Sequence, residues 1–156
     1  MIEIDIEHPD QPDVRALLAA SDAYMASLYP EQSNHLLDLS ALTRPEVTFI
    51  VARSKSGSAV GCGAVVGSGD DWVEIKRMFV CPSARGQKVG RQLLQRIEAI
   101  AAQRGASSIR LETGVSQPEA LALYRSAGFT EIGPFGAYEP DPLSVFMEKS
   151  LVADAG

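Results

Sequence analysis

Residues 81–90 read Cys81-Pro82-Ser83-Ala84-Arg85-Gly86-Gln87-Lys88-Val89-Gly90, and they separate a predicted strand, Trp72–Val80, from the most regular predicted helix. That helix is indicated by one apolar stripe at helical spacing: Val89, Leu93, Leu94, Ile97, Ile100 and Ala101. A strand, a short loop and a helix N-terminus bring several unpaired backbone N–H groups to one point, where the helix dipole adds partial positive charge. This arrangement favours a bound anion such as a phosphate.

The side chains of the loop strengthen this interpretation. Arg85, Lys88 and Arg91 add full positive charges, and Gly86 and Gly90 allow the backbone to approach a ligand closely. The loop contains neither the GxxxxGK[ST] pattern of a P-loop nor the GxGxxG pattern of a dinucleotide fold. It therefore favours neither of these two nucleotide sites.

Charge is unevenly distributed along the chain. The 156 residues carry a net charge of −6, yet residues 76–110 hold eight Lys and Arg side chains against one acid, Glu98. The overall acidity argues against a nucleic-acid partner. The basic segment is interpreted either as a helix face paired with acidic neighbours or as a local anion site on a protein whose remaining surface suits cations.

Outward from the loop, hydrophobic periodicity predicts the element order β-α-α-β-β-β-α-β-α-β-β. Alternating Ile2, Ile4 and Ile6 predict a half-buried first strand, and a helix is expected from a cap at Asp10 until Pro30. The other predicted elements are a helix over 34–41, strands over 47–52, 59–66 and 72–80, a helix over 89–104, a strand around 109–111, a helix opened by a capping box of Ser116 and Glu119, and strands over 129–132 and 143–148.

Length and composition predict a single domain over residues 1–156. No apolar run reaches the roughly 18 residues of a membrane span, so no membrane partner is expected. The first ten residues carry four acids and no cation, which argues against a signal peptide. Two cysteines favour reduced thiols and a cytoplasmic location, and with two histidines they show no metal-ligand spacing, so no metal is expected.

Two patterns in the chain resemble those of the GCN5-related N-acetyltransferases, the GNAT family. Residues 85–90 resemble the family's Arg/Gln-x-x-Gly-x-Gly/Ala loop, with Lys88 where Gly is usual. Residues 117–129 resemble its Asn-x-x-Ala-x-x-Leu-Tyr-x-x-x-Gly-Phe pattern, with Gln117 in place of Asn. The resemblance implies an α/β (α+β) fold, in which a mixed, mostly antiparallel sheet of about seven strands is splayed between strands 4 and 5 and flanked by about four helices.

The resemblance also implies acetyl-CoA as the co-substrate, with no metal. Its pantetheine arm would pair with the backbone of the strand before the loop, and its pyrophosphate would lie in the loop. The implied cofactor-binding residues are Met78, Phe79, Val80, Arg85, Gly86, Gln87, Lys88, Val89, Gly90, Arg91 and Gln117.

Acetyl transfer to an amine needs a base for the amine, a donor for the developing oxyanion and a proton for the leaving thiolate. The resemblance implies Glu74 as the base, with Glu112 or water as alternatives, and Tyr124 as the proton donor. The implied oxyanion donor is the backbone N–H of Met78 or Val80. From its apolar neighbours alone, Tyr124 is better interpreted as a packing residue of the core, and only the Leu-Tyr-x-x-x-Gly-Phe pattern favours catalysis. Glu74 is equally well interpreted as a charge at a strand edge.

The loop between the first two helices and the last hairpin border the acceptor pocket in this family. The residues expected to contact the acceptor are Glu31, Asn34, His35, Arg77, Glu112, Tyr138 and Asp141. Carboxylates favour a cationic amine, which predicts an amino acid or a polyamine-like molecule. Two alternatives stay open, because His35 also fits an exposed position beside a helix cap and Arg77 also fits a position facing a helix.

The predicted function is direct transfer of an acetyl group from acetyl-CoA to the primary amine of a small molecule. Two alternatives are a non-catalytic acyl-CoA-binding or sensor module and a peptide or protein N-acetyltransferase. A homodimer is compatible with the sequence.

Overall fold

The sheet is built around the two strands that flank the loop of residues 81–90. The structure, a computed structural model, describes residues 2–30, 38–67 and 71–151. Its strands are β1 Glu3–Ile6, β2 Val47–Arg53, β3 Ala59–Gly67, β4 Trp72–Val80, β5 Ser108–Gly114, β6 Thr130–Ile132 and β7 Ser144–Ser150. Its helices are α1 Pro12–Leu28, α2 Leu39–Leu42, α3 Val89–Gln103 and α4 Pro118–Ser126, and a 3-10 turn covers Pro82–Ala84.

The strands form one sheet in the order β1-β2-β3-β4-β5-β7-β6. The pair β4–β5 is parallel, and the other neighbouring strands are antiparallel. Parallel strands need a crossover connection, and α3 provides it. The predicted mixed sheet of seven strands with four helices is therefore confirmed.

Helices cover both faces of this sheet. The predicted stripe of α3 is buried against one face, and its members are Val89, Leu93, Leu94, Ile97, Ile100 and Ala101. Helix α1 covers the other face with Val14, Leu17 and Leu18, which contact apolar side chains of β2 and β3. The two layers leave the ends of β4 and β5 as the place where a ligand can enter.

The N-terminal strand and helix differ in detail from the sequence prediction. Ile6 is 57% exposed, so the predicted half-buried pattern of β1, the outermost strand, does not extend to its end. The predicted cap at Asp10 is wrong, because the N-cap of α1 is Gln11, and Asp10 instead pairs with Arg15 at 3.4 Å. Pro12 fixes this boundary, since proline is favoured in the first turn of a helix, where no N–H is needed.

The predicted capping box of α4 is also wrong. Pro118 occupies the first helical position, which makes Gln117 the N-cap and leaves Ser116 outside the helix. The backbone N–H of Ser116 donates to the hydroxyl of Tyr29 at 3.2 Å instead. The start of α4 is therefore held by a tertiary contact rather than by its own side chains.

The second helix is described only in part. Residues 34–37 of the predicted helix lie outside the described residues. In the described part of the chain, α2 covers Leu39–Leu42, and the carboxylate of Asp38 accepts the N–H of Ala41 at 2.9 Å.

Candidate active site

The sheet opens between β4 and β5. Their parallel register begins at Trp72 and Ser108 and ends at Ile75 and Leu111. Beyond that point the last five residues of β4 have no partner on β5, so the two strands diverge. This split lies where the sequence resemblance implies it.

A bulge in β4 accompanies the split. Cys62 of β3 lies opposite Phe79, whereas Ala64 lies opposite Lys76, so β4 carries one extra residue between these pairs. Arg77 occupies the bulge with a φ of 57°, in the left-handed region that L-residues seldom adopt. The bulge bends the end of β4 away from β5.

The backbone of β4 presents a donor to the split. The N–H of Cys81 donates to the carbonyl of Val60 on β3 at 2.7 Å. Successive N–H groups of an extended strand point to opposite sides, so the N–H of Val80 points away from β3 and into the split.

A cavity of about 440 Å³, which we call the helix cleft, lies between the end of β4, the N-terminus of α3 and helix α4. Ten of the eleven residues predicted to bind the cofactor line it, and the exception is Gln87. The ten are Met78, Phe79, Val80, Arg85, Gly86, Lys88, Val89, Gly90, Arg91 and Gln117. The structure thus brings the predicted set together around one cavity.

The loop backbone is shaped for an anion. Gly86 has a φ of 90°, and Lys88, the N-cap of α3, has a φ of 59° and makes no side-chain cap. The first-turn N–H groups of α3 have no intrahelical acceptor and border the helix cleft. Lys88 occupies the position of the first Gly in the Arg/Gln-x-x-Gly-x-Gly/Ala pattern, and it adopts the left-handed conformation that glycine favours.

Gly90 serves helix packing. A Cβ at this position would lie 2.8 Å from Cδ2 of Leu123 on α4. The glycine therefore allows α3 and α4 to approach closely, which keeps the helix cleft beside Tyr124, the next residue of α4.

A smaller cavity of about 80 Å³, which we call the split pocket, lies between β4, β5 and α1. Its charged side chains include Glu74 and Lys76 from β4 and Glu112 from β5. The pleat of β4 places Glu74 and Lys76 on the same face of the sheet. Ser144 donates to Oε2 of Glu112 at 2.8 Å, which fixes that carboxylate against β7.

Glu74, Tyr138 and Lys76 form a hydrogen-bonded cluster in this pocket. The hydroxyl of Tyr138 donates to Oε2 of Glu74 at 2.5 Å, and the ammonium of Lys76 donates to the same hydroxyl. Lys76 also lies 3.6 Å from Oε2 of Glu74. Burial raises the pKa of Glu74, although the positive charge of Lys76 and the Tyr138 hydrogen bond oppose this. Burial and the charge of Glu74 raise the pKa of Tyr138, so its hydroxyl stays protonated.

An aromatic cluster holds the loop that carries Tyr138. Phe135 packs edge-on against Trp72 of β4 at 5.3 Å between ring centroids and against Tyr138 at 5.2 Å. Phe146 of β7 contacts both loop rings, and the guanidinium of Arg110 lies 4.7 Å from the Trp72 ring centroid. Such ring pairs anchor the loop to the sheet.

Met78, Gln117 and Tyr124 line both cavities, so the helix cleft and the split pocket meet at these residues. Tyr124 is 6% exposed, and its ring packs edge-on against Phe129 at 5.6 Å. Burial raises the pKa of Tyr124, and its hydroxyl forms no hydrogen bond with any described residue. A tyrosine whose hydroxyl stays protonated therefore lines the junction of the two cavities.

Arg77 is among the residues that line the split pocket, although its guanidinium is directed to α1, whereas Asp141 is not brought to this pocket. The guanidinium of Arg77 is buried against α1, where it pairs with Asp22 at 2.6 Å and donates to the carbonyl of Leu18. Asp141 lies in a separate groove beside β6 and β7, and its carboxylate accepts the N–H of Leu143. Glu31, Asn34 and His35 lie outside the described residues.

Tyr29 and Lys76 are site residues that the sequence analysis missed. Tyr29, directly after α1, lines the split pocket, and its hydroxyl reaches Gln117. The signal was the helix stop Tyr29-Pro30, because the residue before a proline is held extended. Lys76 could have been found from the alternation that places it beside Glu74 on one face of β4.

No helix in residues 2–30, 38–67 and 71–151 combines the length and the apolar character needed to cross a bilayer. Nor do these ranges contain a group of three or more His, Cys, Asp and Glu side chains able to hold a metal ion.

Comparison with known proteins is consistent with this geometry. The profile of the acetyltransferase (GNAT) family matches residues 13–129. An "IAA acetyltransferase" of Azospirillum brasilense is 52% identical over 151 residues, which cover 96% of this chain and 98% of that protein. The uncharacterised N-acetyltransferase YsnE of Bacillus subtilis is 40% identical over 129 residues, covering 81% of this chain and 85% of YsnE.

Solved structures show the same fold. A candidate acyl-CoA N-acyltransferase from Klebsiella pneumoniae matches with a TM-score of 0.86 and 43% identity, covering 97% of this chain and 99% of that one. An aminoglycoside 6'-N-acetyltransferase solved with coenzyme A shares the fold at a TM-score of 0.74 and 17% identity, over 99% of both chains. The chain belongs to the GNAT family and is an acyl-CoA-dependent acyltransferase.

Proposed function

We propose that the protein transfers the acetyl group of acetyl-CoA directly to the primary amine of a small molecule. One observation carries this proposal: the helix cleft and the split pocket meet at Met78, Gln117 and Tyr124. A donor molecule in the cleft and an acceptor in the pocket would place their reacting groups at this junction. When bound, acetyl-CoA supplies the activated thioester.

The helix cleft offers suitable contacts to the pyrophosphate and to the amide-containing arm of acetyl-CoA. Its loop offers the first-turn N–H groups of α3 together with Arg85, Lys88 and Arg91, which are suited to a pyrophosphate. The unpaired end of β4 offers backbone hydrogen bonds to an extended amide-containing arm, as a further strand would. The N–H of Val80 is the donor we assign to the oxygen that gains negative charge during the transfer.

Glu74 is the base we assign to the acceptor amine. Its Oε2 is occupied by Tyr138, and its Oε1 accepts no hydrogen bond from any described residue. Burial raises the pKa of Glu74, which makes its carboxylate a stronger base than an exposed glutamate. A primary amine in the split pocket would then lose its proton to Oε1, directly or through one water.

Tyr124 is the proton donor that we assign to the leaving thiolate. Tyr124 lines both cavities where they meet, and its hydroxyl forms no hydrogen bond with any described residue. Burial raises the pKa of Tyr124, but the same dry surroundings also raise the basicity of a thiolate formed beside it. The pKa of Tyr124 is therefore closer to that of the leaving thiol in the same surroundings than the raised pKa of the tyrosine alone indicates.

The split pocket supports a small cationic acceptor. Its volume of about 80 Å³ admits a short chain rather than a protein surface, and two carboxylates, Glu74 and Glu112, face it. Both carboxylates favour an ammonium group, and the ammonium of Lys76, which also lines this pocket, offsets one of the two negative charges. The proposal no longer uses Arg77 for an acceptor carboxylate, because that guanidinium is paired with Asp22. An amino acid and a polyamine-like molecule are the two acceptor forms that we retain.

The experiment that tests this function is a screen of primary amines with acetyl-CoA, read by the release of free thiol and by the mass of one added acetyl group. Amino acids, diamines, polyamines and short peptides form the panel, and IAA is included because of the name of the Azospirillum brasilense relative. Thiol release with an acetylated small amine supports the proposal. Acetylation of peptides alone indicates a peptide acetyltransferase.

A sensor module is the second candidate, because Lys88 and Gln117 both depart from the family patterns. Acetyl-CoA would then raise the melting temperature, since it binds the native state, without any turnover. Binding without acetylation of any amine and without hydrolysis would favour this candidate over an enzyme.

A further inference from the structure

Tyr29 connects the end of α1 to the start of α4. It follows the last residue of α1 with extended backbone angles, φ −134° and ψ 148°, and its N–H donates to the carbonyl of Met25 at 3.0 Å. Its side chain is 6% exposed. A tyrosine buried to this degree needs a hydrogen-bond partner for its hydroxyl.

The hydroxyl of Tyr29 has two partners at the N-terminus of α4. It accepts the backbone N–H of Ser116 at 3.2 Å and donates to Oε1 of Gln117 at 3.1 Å. Donor and acceptor functions are thus both used, which fixes the position of the hydroxyl.

Gly114, the last residue of β5, is shaped to receive this hydroxyl. A Cβ at residue 114 would lie 1.9 Å from the Tyr29 oxygen and 2.3 Å from its Cζ. Residue 114 must therefore be glycine for Tyr29 to reach α4. The end of α1 contacts the end of β5 where the ring of Tyr29 lies against Gly114.

The contact determines which face Gln117 presents to a ligand. Its Oε1 is engaged by Tyr29, and its Nε2 donates to no other described residue. Because Gln117 lines both cavities, the amide N–H groups are the donors it can offer at the junction. With an acyl-CoA in the helix cleft, its carbonyl oxygens would be hydrogen-bond acceptors within reach of these N–H groups.

We infer that Tyr29 is a positioning residue, which holds the Gln117 amide with its N–H groups toward a carbonyl oxygen of the bound acyl-CoA. The inference rests on the proposed function for the identity of the donor molecule only. Tyr29 itself acts through Gln117 and does not need to touch the ligand.

A double-mutant cycle with acetyl-CoA as the probe tests this inference. The dissociation constant is measured by calorimetry for the wild type, Tyr29→Phe, Gln117→Ala and the double variant, without any acceptor. Tyr29→Phe keeps the ring and should weaken acetyl-CoA binding about three- to tenfold, the effect of one hydrogen bond. In the Gln117→Ala background the same change should have no effect, because the group it positions is gone.

Thr43→Val is the matched control, because it also removes one hydroxyl, which donates to the carbonyl of Ser40, and Thr43 lines neither cavity. It should leave acetyl-CoA affinity unchanged in both backgrounds. Equal losses from Tyr29→Phe with and without Gln117 would overturn the inference, since they would mark Tyr29 as a packing residue only.

Gln117→Glu provides a second test that does not alter Tyr29. The carboxylate still accepts the Tyr29 hydroxyl, but it removes the amide donor. Acetyl-CoA affinity should therefore fall at least as much as in Gln117→Ala, while the melting temperature stays near that of the wild type. Wild-type affinity in Gln117→Glu would overturn the inference. Failure of every amine to be acetylated would instead count against the proposed function, because these binding data need no acceptor.

Discussion

The hydroxyl of Tyr138 lies 2.5 Å from Oε2 of Glu74. The two residues are 64 positions apart, and an aromatic cluster of Trp72, Phe135 and Phe146 holds the loop that brings them together. The hydrogen bond stabilises the ionised form of Glu74 against the desolvation that raises its pKa. Tyr138 thus favours the charged form of this buried carboxylate, which is the form that a base requires.

Tyr138→Phe should lower kcat by about tenfold and shift the pH dependence of kcat/KM. The direction of this pH shift follows from the hydrogen bond between Tyr138 and Glu74. Loss of the hydroxyl removes an interaction that lowers the pKa of Glu74, so that pKa rises further. Because the base must be ionised, the acidic limb should move to higher pH. The measurement is the pH profile of both proteins with one acceptor from the amine screen.

Glu74→Gln is the reference for this prediction. If Tyr138 acts through Glu74, then adding Tyr138→Phe to Glu74→Gln should cause no further loss. An unchanged acidic limb in Tyr138→Phe, or a full tenfold loss on top of Glu74→Gln, would contradict the assignment of Glu74 as the base.

Lys88→Gly should give a more stable protein than Lys88→Ala by about 1 kcal/mol. Both variants lose the charge, but only glycine adopts the φ of 59° at this position without strain. The free energy of unfolding is measured in urea for both variants. Equal stabilities would show that the left-handed conformation carries no cost here.

The same two variants report on the charge of Lys88. Both should bind acetyl-CoA more weakly than the wild type, and the difference should shrink as salt is added, because the proposed partner of Lys88 is a phosphate. Unchanged affinity at low salt would remove Lys88 from the set of cofactor-binding residues.

Arg53→Met should destabilise the protein by about 1 kcal/mol at pH 7. The guanidinium of Arg53 on β2 bonds both carboxylate oxygens of Glu7, after β1, and Asp13 of α1 at 2.6 Å. Arg53 lowers the pKa of Glu7 and of Asp13, so their contribution to stability is present above the ordinary carboxyl pKa and is lost as the pH falls through the lowered values.

The difference between wild type and Arg53→Met should therefore shrink as the pH falls below about 4.5, the ordinary pKa of a glutamate. Urea unfolding at several pH values measures it, with Lys55→Met, an exposed cation of the following turn, as control. A destabilisation that is the same at low and neutral pH would show that Arg53 acts through packing alone.

The element order could be predicted because hydrophobic periodicity is a local property of the chain, and the split between β4 and β5 was implied by the family resemblance of two short patterns. The stripe of α3, the loop before it and the pattern from Gln117 to Phe129 are all local. Local signals were less reliable at helix starts, where Pro12 and Pro118 displaced the expected caps at Asp10 and Ser116.

Contacts between distant residues could not be predicted in the same way. Tyr29 and Gln117 are 88 positions apart, and no local pattern relates them. The direction of Arg77 depends on the position of α1, which supplies Asp22 and the carbonyl of Leu18. The carboxylate of Asp141 accepts the N–H of Leu143 within the same loop, and the loop sequence alone does not determine this contact.

The central claim is that acetyl transfer takes place at the junction of the two cavities, beside Tyr124. The most direct measurement compares Tyr124→Phe with the wild type in two assays, turnover of the best amine from the screen and affinity for acetyl-CoA. The phenylalanine ring retains the packing against Phe129 but has no proton to donate. We expect kcat of Tyr124→Phe to fall about 10- to 1,000-fold while its acetyl-CoA dissociation constant changes little. Full turnover in Tyr124→Phe would contradict the account, and Tyr124 would then be a packing residue of the core.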